Sequence, residues 1–100
     1  MAVLHVHLQD GFSGEPVRIR LDGKTVIENS AVTTRPQLGL AEIIPLELPA
    51  GRHTLEVQVP AHTQAETITL QPGQELHLGL SLDPDGGLSL RISESPFGYV

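Results

Sequence analysis

The sequence predicts an all-β fold, a two-sheet antiparallel sandwich of about seven or eight short strands, and three observations carry that prediction. Aliphatic residues recur at every second position along most of the chain, the period of a strand with one buried face. Turn sequences rich in Gly, Pro and Asp separate the alternating runs. No segment carries an apolar stripe at helical spacing bracketed by capping residues. One flat sheet would leave its apolar face in water, so the runs must be divided between two packed sheets or closed into a small barrel.

Taken in order, the first run alternates Leu4, Val6 and Leu8 with His5 and His7. Gly11-Phe12-Ser13-Gly14 reads as a connecting turn, and beyond it Val17, Ile19 and Leu21 alternate with Arg18 and Arg20. Asp22-Gly23-Lys24 has the chemistry of a tight hairpin turn, because Asp and Gly tolerate positive φ, and it leads into the short run Thr25-Val26-Ile27-Glu28. From Asn29 to Gly39 the composition is mixed and contains Pro36, which predicts a long loop or a crossover between sheets. Ile44, Leu46 and Leu48 alternate with Pro45 and Glu47. Pro45 has no N–H to give a ladder, so this strand is expected at an edge or a bulge. Leu55, Val57 and Val59 alternate with Glu56 and Gln58, and Ile68 and Leu70 with Thr67 and Thr69. Gln71-Pro72-Gly73-Gln74 then turns the chain into Leu76, Leu78, Leu80 and Leu82, and Asp83-Pro84-Asp85-Gly86-Gly87 into Leu88, Leu90 and Ile92. Residues 1–94 therefore read as one sandwich domain and residues 95–100 as a C-terminal tail that has lost the alternation.

Length and composition narrow the function classes. A chain of 100 residues can bury one core and not two. The absence of cysteine excludes disulfides, thiolate metal sites and cysteine nucleophiles. A net charge of −6 opposes attraction to phosphate backbones and anionic lipid, so no nucleic-acid partner is expected. No apolar stretch approaches the ~20 residues that span a bilayer, and no membrane insertion is expected. The start, Met1-Ala2-Val3-Leu4-His5-Val6-His7, shows neither the basic segment nor the long apolar segment of a secretory signal.

Among residues that could carry chemistry, His5-Val6-His7 is the sharpest feature, because histidines at i and i+2 on a strand project from one face and can share a metal ion. A third ligand could come from His53, His62, His77 or Glu75, with His77 favoured because it too alternates outward. The plainer reading puts His5 and His7 on the solvent face, titrating normally. A nucleophilic serine at a Gly-x-Ser-x-Gly elbow is absent, as is a glycine-rich phosphate loop. Glu15, Asp22, Glu47 and Glu56 fall on turns or outward positions, where carboxylates are solvated. The sequence thus predicts no enzyme and no cofactor. Arg18, Arg20 and Arg91 could form a basic patch, but cross-strand pairing with glutamates such as Glu56 is the expected arrangement. Two of the three aromatics, Phe97 and Tyr99, stand in the tail, where they are expected to cover an open end of the sandwich or to dock a protein partner.

The order of features from Gly14 to Leu82 resembles a known group of domains. Gly14-Glu15-Pro16-Val17-Arg18-Ile19-Arg20-Leu21-Asp22-Gly23-Lys24 is followed by a variable loop, then Leu48-Pro49-Ala50-Gly51-Arg52-His53-Thr54-Leu55-Glu56-Val57, and it closes with Ile68-Thr69-Leu70-Gln71-Pro72-Gly73-Gln74. This is similar to the PEGA-like and carboxypeptidase-regulatory-like domains, transthyretin-like sandwiches of immunoglobulin-like architecture, although the Pro-Glu-Gly-Ala signature itself is replaced by Gly14-Glu15-Pro16-Val17. The resemblance implies a small bacterial accessory module of the cell envelope or exterior, noncatalytic and acting through protein–protein contacts. The alternative from the residues alone is a metal- or small-ligand-binding domain centred on His5 and His7.

Overall fold

The computed structural model describes residues 1–35, 37–60, 62–85 and 87–97. They form β1 (Ala2–Leu8), β2 (Ser13–Leu21), β3 (Lys24–Thr33), β4 (Glu42–Leu48), β5 (Gly51–Val59), β6 (His62–Leu70), β7 (Glu75–Leu82) and β8 (Leu88–Ser93). Two four-stranded sheets result, sheet A in the order β4-β1-β7-β8 and sheet B in the order β3-β2-β5-β6. The all-β sandwich expected from the alternation is what the chain adopts. None of the described residues builds a helix long and apolar enough to cross a membrane.

The inward positions of both sheets meet in one core. Leu4, Val6, Leu8, Leu78 and Leu80 from sheet A and Val17, Ile19, Leu55, Val57 and Leu70 from sheet B are essentially inaccessible to solvent. Of the aliphatics in the alternating runs, only Ile92, near the end of the edge strand β8, is exposed. Phe12 joins the core rather than a surface turn. Its N–H donates to Thr34 Oγ1 at 3.0 Å, and the Thr34 hydroxyl donates to the Gln9 carbonyl at 2.6 Å, which ties the β1–β2 and β3–β4 connections together.

Several local expectations are realised. Asp22 and Gly23 both take positive φ, 51° and 82°, and the turn sets Leu21 opposite Lys24 as a tight hairpin requires. Pro45 lies on β4, an edge strand with a single neighbour. Gly11 is dictated by both backbone and space: its φ is 90°, and a Cβ there would lie 1.8 Å from the Leu82 carbonyl oxygen.

Two expectations are corrected. The sandwich is not wholly antiparallel, because β1 and β7 pair in parallel at the centre of sheet A while the other neighbours run antiparallel. Alternation is the same in both kinds of ladder, so it cannot distinguish them. The stretch from Asn29 is not all loop, since β3 continues to Thr33 and buries Val32. Its pairing with β2 shifts register between Ser13 and Glu15, Glu15 and Val17, and Ile19 and Arg20, and these irregularities break the period-two signal that would have marked the strand.

Candidate functional site: a histidine cluster on the outer face of sheet A

The parallel register of β1 and β7 decides which outward side chains meet. It sets His5 directly beside His77 and His7 beside Gly79. On the flanks, β8 brings Ser93 next to His77 and Arg91 next to Gly79, while β4 brings Pro45 next to His5 and Ile43 next to His7. The three histidines singled out in the sequence therefore stand together. His53 and His62 belong to sheet B.

His5 and His77 are stacked, with ring centroids 4.6 Å apart and planes 11° from parallel. His7 Nε2 and His77 Nδ1 are 3.0 Å apart and share a hydrogen bond, so one nitrogen of the pair carries the proton and the other accepts it. His5 Nε2–H donates to Glu75 Oε1 at 2.9 Å. Phe97 closes the cluster by setting its ring edge-on to His7, with centroids 5.0 Å apart, and Arg91 lies over Phe97 with its guanidinium carbon 4.8 Å from the ring centre.

This packing corrects the expectation of solvated, normally titrating histidines. His7 is only 3% exposed and His77 8%. Burial, then the neighbouring His77 and His5, hold the pKa of His7 below its ordinary value, and burial, then His5, does the same for His77. Protonation of His7 and His77, which would repel each other as cations, is thereby disfavoured. The tail expectation changes too: Phe97 covers the face of sheet A rather than an open end of the sandwich, and Tyr99 lies outside the described residues.

The donor set does not form a metal centre as it stands. Among the described residues no group of three or more His, Cys, Asp or Glu side chains is arranged to hold an ion. The geometry gives the reason: imidazole lone pairs lie in the ring plane, and those of the stacked His5 and His77 rings run nearly parallel instead of converging. No family model matches the chain, and no curated protein is similar enough to count as a relative.

Beside the cluster the outer face opens into a cleft of about 740 Å³, bordered by Asp10, Ser81, Ser89, Arg91 and Phe97. Gly79 makes room for it and for Gln9, whose Oε1 would stand 2.7 Å from a Cβ at that position. The outer face of sheet B is an exposed surface where Arg18 pairs with Glu28 at 3.0 Å and Arg20 approaches Glu56 at 3.8 Å, with a smaller hollow of about 300 Å³ beside the Arg18–Glu28 pair. The expected cross-strand pairing thus holds for these two arginines. Arg91 does not join them in a patch, because it lies on the other sheet.

A second histidine site was missed by sequence reasoning. His53 is buried at the rim of sheet B, with Nε2 2.8 Å from the Pro49 carbonyl and Nδ1 2.7 Å from Asp22 Oδ2. Asp22 Oδ1 also accepts from the Thr54 N–H at 2.9 Å. Because both ring nitrogens face acceptors, the Pro49 carbonyl and then the Asp22 carboxylate raise the pKa of His53, while His53 and then the Thr54 N–H lower that of Asp22. Asp22 is exposed on its turn as its position predicts, but the His53 and Thr54 bonds keep its pKa below the ordinary value. The signal was available: His53 shares the parity of Leu55 and Val57, which points it inward.

Proposed function

We propose that this domain is a noncatalytic accessory binding module that engages a protein partner through the outer face of sheet A, around the cleft between Arg91, Ser89 and Phe97. The observation that carries this reading is the difference between the two outer faces. Sheet B has paired charges and a smaller hollow of about 300 Å³ beside Arg18 and Glu28, whereas sheet A combines a cleft of about 740 Å³, a half-buried aromatic ring and buried histidines whose pKa values are lowered. Concave surfaces with an aromatic anchor and a few polar groups are where binding sites concentrate. The resemblance to PEGA-like and transthyretin-like domains supports the same role and a bacterial cell-envelope or extracellular setting.

The test is site-specific photocrosslinking in the native host, with the photoreactive residue at Ser89 or Arg91 in the cleft and at Arg20 on sheet B, away from the hollow beside Arg18, as the control. One protein captured from both cleft positions and not from Arg20 supports the reading. Equal capture from both faces, or capture from Arg20 alone, overturns it.

The second reading is metal binding by His5, His7 and His77, and their meeting on adjacent strands favours it. It requires a ring to rotate out of the present stack. A thermal melt with chelator, then with zinc, nickel or copper, repeated on His5→Ala/His7→Ala, separates the two readings: a midpoint rise that the double variant abolishes selects metal.

A further inference from the structure

The four edge strands of the sandwich are not equally protected. An edge offers unpaired N–H and C=O groups to any passing strand, and folded β proteins guard edges with proline, charge, bulges or short length. β4 carries Pro45 together with Glu42 and Glu47. β8 is six residues long and carries Arg91. β3 begins at Lys24 and is distorted by its register shifts against β2. β6 has only one of these devices, the charge of Glu66. It runs nine residues without proline, pairs with β5 in unbroken register from Gly51↔Leu70 to Val59↔His62, and has Glu66 as its one acidic or basic residue apart from His62 at its start. On its outer side it shows only Thr63, Ala65, Thr67 and Thr69, all exposed.

We propose that β6 is a homodimerisation edge, pairing antiparallel with β6 of a second copy of this chain to make one continuous eight-stranded sheet. The edge carries no charge pattern that would select an acidic or a basic strand from another protein, and its own side chains are compatible with themselves. A two-fold axis through Thr67 sets Thr67 against Thr67 and Thr69 against Ala65 on the outer side, and Glu66 against Ile68 on the inner side, so no like charges stand directly opposite. The two Glu66 carboxylates are then diagonal neighbours. Their repulsion, added to a net charge of −6 on each chain, makes the dimer tighter in salt. The axis is perpendicular to the sheet, so both copies keep sheet A on the same side of the joined sheet B.

Sedimentation velocity on the whole chain from micromolar to millimolar concentration, at low and at physiological salt, tests this independently of the partner on sheet A. A reversible dimer that tightens with salt is expected. Thr67→Lys, which places like charges opposite each other across the axis, weakens it about fivefold or more. Glu66→Gln tightens it, a gain that misfolding cannot mimic, and Thr25→Lys on the bulged β3 edge leaves it unchanged. A chain that stays monomeric to millimolar concentration, or a dimer indifferent to both Thr67→Lys and Glu66→Gln, overturns the proposal.

Discussion

The molecule buries histidine in two places and gives it opposite charge preferences. At the rim of sheet B, both nitrogens of His53 meet oxygen acceptors, so the protonated ring is favoured. On the outer face of sheet A, His7 and His77 meet each other, His5 and Phe97, so the neutral rings are favoured. Exposure does not separate the sites, since His53 and His77 are each 8% exposed. What separates them is the partner set: burial penalises charge in both, and only acceptors around the ring offset it. The two sites therefore pull on stability in opposite directions as pH changes. His53, with its raised value, contributes fully below 6.5 and loses that contribution as pH rises through its folded pKa. His7 and His77, with lowered values, cost nothing above 6.5 and destabilise the fold as pH falls below it, because the unfolded chain then binds protons that the cluster resists. Asp22 extends the first site toward acid, its contribution lasting until pH falls below 3.8 and through its lowered folded pKa.

The largest expected effect comes from forcing the wrong charge on the neutral site. His77→Arg fixes a cation beside His7 and His5 and removes the ring nitrogen that shares a hydrogen bond with His7. It should cost about 2–4 kcal/mol in urea unfolding at neutral pH, and a loss below about 0.5 kcal/mol would mean that the cluster tolerates charge. Phe97→Ala sharpens the comparison by removing the cover alone. A loss of about 1–2 kcal/mol is expected, together with movement of the His7 and His77 titrations up toward 6.5 in proton-detected NMR. Unmoved titrations would assign the shifts to the strands beneath. The smallest effect is His53→Gln, which removes the cationic clasp: wild type should exceed it by about 1 kcal/mol at pH 6, with the gap closing as pH rises through the folded pKa of His53. A gap that grows with pH would reverse the charge assigned to His53.

Much of this was legible in the sequence, and the limits have definite causes. Alternation marks each strand because a half-buried ladder cannot avoid it, and Asp22-Gly23 and Pro45 announce their positions through backbone chemistry that neighbours cannot change. The Asn29–Thr33 part of β3 was hidden because bulges destroy the period. The meeting of His5, His7 and His77 was half legible: parity put all three on outward faces, but only the register of β1 against β7 could make them neighbours, and local sequence does not encode register across such a separation. Phe97 was visible as an aromatic in need of cover, while the surface it would cover was not. The clasp of His53 follows from inward parity combined with a hairpin turn in a different part of the chain.

The parallel pairing of β1 with β7 also governs how this chain must fold. β1 ends at Leu8 and its central neighbour begins at Glu75, so on a ribosome the first strand emerges long before its place in sheet A exists. Until then it has only β4 to pair with, and Leu4, Val6 and Leu8 lack half of their cover. Pairings of this sequence separation close late and slowly, so the apolar face of β1 stays partly uncovered until β7 arrives. The histidine cluster, built across that last seam and roofed by Phe97, can form only when the seam has closed, so the lowered pKa of His7 belongs to the folded chain alone.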